Sequence, residues 1–355
     1  MVFSADALLA GPRGRRLCLE ILLRASDARE VYEAGWAVTW AAYPLAENSA
    51  VLTSFGPGAA ARTQPEVSPA EAAAALARVG VPDLTVAALD AALATTVDQA
   101  AYWQPPSGED VLAATEEVRA ALEPLAVAVV GSPHTTWWSS ALDRAWQATV
   151  RWEDDRPSTA APEEISARWR AEQQAEEVQS ASSPENVRMS GSWWSTPAFG
   201  LPRSTRFRGT AGPVGLTLVE DSFGWTSARV QPIAAPSGEV IEIDGPEAWA
   251  ALCRRHPFIL TASRRNVWGW TTGRQGAWVQ PDWAAVAREA AGVHLSVAGY
   301  LTAAGRVIDV GDLGASTIAG WAPDETFWFA EVVPTAPEQR WTLDEPDATR
   351  PWRRT

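Results

Sequence analysis

Glu239-Val240-Ile241-Glu242-Ile243-Asp244-Gly245-Pro246-Glu247-Ala248-Trp249-Ala250-Ala251-Leu252-Cys253-Arg254-Arg255-His256-Pro257 is the stretch whose reading decides the fold class. Its first five residues are a short β-branched run, which predicts a strand. Asp244-Gly245-Pro246 breaks the run and starts a helix, with Pro suited to the first helical turn. Trp249, Leu252, Cys253 and His256 fall on one stripe of that helix, and Pro257 ends it. The surroundings repeat this irregular mixture. Residues 214–219 and 228–233 read as further short strands, 268–279 as a hairpin around Gly273-Arg274-Gln275-Gly276, and 293–301 as a strand. Pro281-Asp282-Trp283 starts another short helix. Strands mixed with isolated helices, without regular strand-helix alternation, predict an α+β domain over 191–333 with a mixed or antiparallel sheet.

Upstream the period is helical. Leu17, Cys18, Ile21 and Leu22 recur on one helix face, Ser68-Pro69-Ala70-Glu71 opens an Ala-rich helix that Gly80 ends, and two more helices are expected over 85–102 and 108–129. Residues 31–54, rich in Val, Thr, Trp and Tyr, fit either a helix or a strand pair. Residues 1–152 therefore read as a mainly helical domain. Residues 153–190 hold nine Asp or Glu and one expected helix from 162 to 178 carrying Ile165 and Trp169 four residues apart, which predicts an exposed, acidic, partly helical connector. Residues 334–355, with four Pro, read as a loosely held Pro/Arg-containing tail.

The 355 residues are 46% hydrophobic and 20% charged, with a net charge of −14, enough for one large or two ordinary globular domains. All 29 basic residues are Arg. Without Lys there is no Schiff-base nucleophile, no pyridoxal-phosphate anchor, no Walker A loop and no kinase site. The acidic balance and small Arg clusters argue against nucleic acid as a partner. Two Cys are too few for a disulfide framework, and the N-terminus lacks the basic start of a signal peptide. No run approaches 18 apolar residues, so no membrane partner is expected and the setting is read as cytoplasmic. The three His, at 134, 256 and 294, share no ligand spacing, so neither a metal nor a cofactor is expected.

Two site readings remain. On the expected hairpin, Trp268, Trp270 and Thr272 share one strand face with Trp278 opposite, beside Arg264 and Arg265. Such an indole ladder suits a binding protein recognising a small planar or anionic ligand or a protein partner, by stacking and bidentate hydrogen bonds. The same indoles would equally fill a core. The alternative is a cofactor-light hydrolase or transferase in which His294, on the polar face of strand 293–301 with Ser296, Ala298 and Tyr300, acts as acid-base with Asp309, Asp312 or Asp324. Asp309/Asp312 and Asp324/Glu325 are acid pairs in Gly/Pro-rich turns, where Asp also serves the backbone. An ADP-ribosyltransferase-like His-Tyr pair is the weakest variant, since six positions on one strand separate His294 from Tyr300 by about 20 Å. No Gly-x-Ser-x-Gly elbow or glycine-rich dinucleotide fingerprint occurs.

The segments Asp282-Trp283-Ala284-Ala285-Val286-Ala287, 293–301 and Gly320-Trp321-Ala322-Pro323-Asp324-Glu325-Thr326-Phe327-Trp328 resemble an uncharacterised family of Trp-rich proteins from high-GC Gram-positive bacteria. Tyr102-Trp103-Gln104-Pro105 and Arg16-Leu17-Cys18-Leu19-Glu20 extend the resemblance into the first half. It implies a bacterial cytosolic protein of two linked parts and no particular activity.

Overall fold

The computed structural model describes residues 3–26, 28–46, 65–153, 155, 158–182, 192–220, 222–343 and 352–355. Among these, helices lead the chain: α1 (Ala5–Ala10), α2 (Pro12–Leu23), α3 (Arg29–Ala42), α4 (Pro69–Val79), α5 (Val86–Asp98), α6 (Gly108–Leu112) and α7 (Glu116–Gly131). Ser68 and Glu71 form a reciprocal capping box on α4, and Thr85, Ser107 and Thr115 each accept an N–H in the first turn of α5, α6 and α7. The ambiguous stretch is helical from Arg29, and its residues 47–54 lie outside the described residues. Ala34, Ala37, Val38 and Ala41 recur there at helical spacing and are buried, which outweighs the strand preference of their neighbours.

The second half begins with β1 (Gln147–Trp152), α8 (Pro162–Ala181), β2 (Arg203–Arg206), β3 (Ser227–Ala234) and β4 (Val240–Ile243). It continues through α9 (Pro246–Arg255), β5 (Pro257–Ile259), α10 (Thr261–Thr272), β6 (Val279–Pro281), α11 (Trp283–Val286), β7 (Gly292–Leu295) and α12 (Val297–Ala303). The last strands are β8 (Ile308–Asp309), β9 (Ala315–Ser316), β10 (Glu325–Trp328), β11 (Val333–Pro334), β12 (Gln339–Thr342) and β13 (Arg353–Arg354). The main sheet runs β13-β12-β3-β1-β2-β10-β7-β4, with β11 also on β3. Its pairs are antiparallel except β4 with β7, which the chain joins by crossing over through α9, α10 and α11. The fold is α+β with a mixed sheet. One cluster of buried apolar side chains extends from Leu8 and Leu17 through Trp138 to Trp249, Trp283, Tyr300 and Phe327, and α12 packs on both α1 and α2.

Several local expectations are corrected. The hairpin expected over 268–279 is helix α10 followed by a turn, because Gly273 (φ 72°, ψ 3°) is the left-handed residue that closes a helix. The helix starts on a cap supplied from elsewhere: Ala262 N and Ser263 N donate to the Glu177 carboxylate of α8 at 2.7 and 2.8 Å. The strand expected over 293–301 stops at Leu295, where Ser296 accepts from Gly299 N at 3.0 Å and begins α12. Residues 214–219 contain a single 3₁₀ turn, Val214–Leu216. The connector is not exposed throughout: α8 buries Ile165, Trp169 and Gln173 and packs on α10 and α11, while residues 183–190 lie outside the described residues. The described part of the tail is held in the sheet, with β12 on β3 and both Trp341 and Trp352 buried; 344–351 lie outside the described residues.

Candidate functional site

A cleft of about 440 Å³ opens beside the middle of the sheet and is lined by Trp152, Trp193, Trp194, Phe199, Phe223 and Trp225, with Arg203, Asp155, Glu220 and Glu325 as its charged members. β1 carries Trp152, and Trp225, two residues before β3, stacks on it at 4.9 Å with planes 9° apart. Phe223, 79% exposed, leans on Trp225, and Phe199, 47% exposed, meets Trp194 edge-on at 5.4 Å. Large aromatic side chains left this open at one place are unusual on a monomer surface. The Trp193-Trp194 wall is anchored by Ser195, whose N–H donates to Ala319 O at 2.9 Å and whose Oγ accepts from Ala319 N at 3.0 Å. Gly320 follows in the left-handed region (φ 76°), and a Cβ there would stand 2.9 Å from Trp194 Cβ, so glycine lets the loop close against the indoles.

Glu220 belongs to the floor, with both carboxylate oxygens turned inward and inaccessible to solvent. Neither oxygen makes a well-formed hydrogen bond among the described residues, although Tyr300 and the Gly320 N–H stand close enough to favour the carboxylate. Burial outweighs those contacts and the nearby Arg13 and pushes the Glu220 carboxyl up to about 8. Burial also raises Glu325, against the opposing effect of Arg203, whose Nη1 donates to Glu325 Oε1 at 3.4 Å. Arg13 reaches this region from α2 and is bound to Asp110 Oδ2 at 2.5 Å. The hydroxyls of Tyr102 and Tyr300 are buried beside Glu220, and burial raises both phenols well above their ordinary value. The floor of the cleft is thus the seam at which helical and sheet portions meet.

The residues singled out in the sequence are distributed differently. Trp268, Trp278 and Arg264 are 0% exposed, so the expected surface ladder is interior packing. Trp268 meets Trp278 edge-on at 5.5 Å and donates its indole N–H to Trp193 O at 2.7 Å. Arg264 is held by Glu176, 3.2 Å away, and by Gln173, both on α8. Arg265 reaches Ser180 O, and Trp270 is half-buried on the side of the helix away from Trp268. The i, i+2 spacing that aligns Trp268 with Trp270 on a strand separates them by about 200° on a helix.

His294 lies on β7, 1% exposed, with Nδ1 2.6 Å from Glu242 Oε2 and Nε2 3.6 Å from Asp324 Oδ1. Burial disfavours its charge, but Asp324 and Glu242 together outweigh burial and raise it to about 9. Asp324, the described non-glycine residue with positive φ (59°), also accepts from Arg206 N at 2.8 Å. Asp309 and Asp312 are exposed, and Asp309 accepts from Gly311 N in its own turn. The structure therefore joins His294 with Asp324 and with Glu242, and leaves Asp309 and Asp312 elsewhere. His294 does not line the aromatic cleft. Tyr300, expected on its strand face, sits on α12 beside Glu220.

The sequence offers no signal that singles out Glu220, one of two adjacent acids, Glu220-Asp221, after the run 214–219, and it shows Glu325 only as the neighbour of Asp324. Two other clefts are present. One, of about 640 Å³ between α2 and α3, pairs its own charges, Arg16 Nε with Glu20 Oε1 at 2.8 Å. The other, of about 720 Å³ across β1, β3 and β12, is largely apolar. Among the described residues there is no group of three or more His, Cys, Asp or Glu placed to hold a metal, and no helix long and apolar enough to cross a membrane. Cys18 and Cys253 are buried thiols that burial pushes up to about 12. Compared with protein families, curated proteins and solved structures, the chain shows no match.

Proposed function

We propose that the protein is a cytoplasmic binding protein that holds a small ligand in the aromatic cleft, with the ligand's flat or apolar face against the indoles and a polar group over the floor. The observation that carries this reading is the convergence of six aromatic side chains, two of them strongly exposed, on a cleft floored by a buried acid. Aromatic walls supply contact area at little entropic cost, and a few polar groups set orientation. The Trp268/Trp278 pair serves as support behind the wall, since Trp268 binds the Trp193 carbonyl.

A library of small flat compounds, followed by ligand-observed NMR, tests it. Hits on the wild type should vanish with Trp225→Ala, a half-buried position whose loss should lower Tm by only about 2–4 °C. Hits that bind Trp225→Ala equally well, or no hits at all, would overturn the reading. A hydrolase or transferase using His294 with Glu242 or Asp324 is the second reading, favoured by the 2.6 Å His294–Glu242 contact. It requires substrate to reach a side chain that is 1% exposed. Turnover lost in His294→Gln and kept in Trp225→Ala would favour it.

A further inference from the structure

We infer that the ligand of the aromatic cleft is an organic cation, and that its arrival drives one proton off Glu220. The inference rests on the cleft being the binding site. Three observations support it. The walls are electron-rich aromatic faces, which attract a cation and offer nothing to an anion. Among the described residues, the charged lining is Asp155, Glu220 and Glu325 against one guanidinium, Arg203. Arg203 is already engaged, donating to Glu325 and lying over the rings of Phe199 and Phe327 at 6.0 and 5.9 Å. The third observation is the floor itself: a carboxyl group with both oxygens buried and, among the described residues, no well-formed hydrogen bond.

The groups facing Glu220 explain why it can give up its proton when a cation binds. Tyr300 from α12 and Tyr102 from the loop after α5 face it with neutral hydroxyls, the Gly320 N–H faces it from the cleft loop, and Glu325 repels its charge from β10. Among the described residues, Arg13 on α2 is the cation that acts on Glu220, and it is committed to Asp110 at 2.5 Å. Without further compensation the neutral acid is favoured, consistent with its ordinary value being pushed up to about 8. A cation seated over the floor supplies the missing positive charge through a low-dielectric layer, where its attraction for a carboxylate is strong. The O–H bond of Glu220 then breaks, the proton passes to solvent, and the bound ion faces a carboxylate.

By linkage, affinity for the cation should rise toward tenfold per pH unit as the pH climbs to about 8 and level off above it. Benzyltrimethylammonium is a suitable probe, with benzyl alcohol and benzoate as neutral and anionic counterparts. Calorimetric titration at pH 7 in phosphate and in Tris, whose ionisation enthalpies differ, should report release of close to one proton per cation bound. Glu220→Gln should abolish the proton release and the pH dependence. Should that variant not fold, loss of the protonated-carboxyl stretch in infrared difference spectra of the wild type on cation binding gives the same answer. Cation binding without proton release, or preference for the neutral or anionic probe, would overturn this inference and leave the cleft as a binding site. Failure of all three probes and of the compound library would overturn both.

Discussion

At neutral pH the Glu220 carboxyl keeps its proton because burial penalises the carboxylate, whereas His294 keeps its proton because Asp324 and Glu242 outweigh burial. Glu220 moves from 4.5 to about 8 and His294 from 6.5 to about 9. In both, the folded state binds the proton more tightly than the unfolded chain. Each therefore contributes stability that is fully present below the ordinary value and lost as pH rises through the folded one. The urea midpoint should fall between pH 5 and 9. Glu220→Gln should flatten the decline up to about pH 8 and leave the His294 component, which extends to about pH 9. A midpoint that climbs over this range would contradict both assignments. Trp268→Ala empties a fully buried site and should cost about 3–5 kcal/mol by denaturant titration, and Trp270→Ala, half-buried, clearly less. The residue types of the ladder were legible in the sequence. Their interior position was not, because burial of Trp268 depends on Trp193 arriving from 75 residues away in the chain.

Helix α10 shows how an element can be misread from a local pattern. Trp268, Trp270 and Thr272 alternate as a strand would, and Gly273 to Gly276 is a plausible hairpin turn. The Glu177 carboxylate supplies what the segment lacks, satisfying two of the N–H groups that every helix leaves unpaired at its start. Glu177→Ala should cost about 1–2 kcal/mol, and hydrogen exchange at Ala262 and Ser263 should accelerate before that of the helix centre. Gly273→Ala forces a Cβ into the left-handed region and should destabilise by about 1 kcal/mol. The elements read correctly, α4, α9, β3 and β4, carry their own start and stop signals: a Ser/Glu box, a Gly-Pro start, a Pro stop, short β-branched runs between turns.

On the scale of the molecule, the helices of the first half and the sheet of the second share one buried cluster, with α12 against α1 and α2 and the Arg13–Asp110 pair behind Glu220. Calorimetric unfolding should give a single transition, with calorimetric and van't Hoff enthalpies equal. Residues 1–152 expressed alone should lack dispersed NMR methyl signals, since α1 and α2 would lose the apolar surface of α12. Two independent transitions would contradict that sharing. The sequence by itself determined the exclusion of amine-dependent chemistry, the helical first half and the α+β character of the second. Those follow from composition and from periodicities of two to four residues, which any local window contains. Only the tertiary structure decided that the Trp268 ladder is interior, that His294 is clamped between carboxylates, and that Glu220 lies on the floor of an aromatic cleft. Each of these rests on contacts between residues far apart in the chain, such as 193 with 268 or 242 with 294, and no local pattern records such a distance.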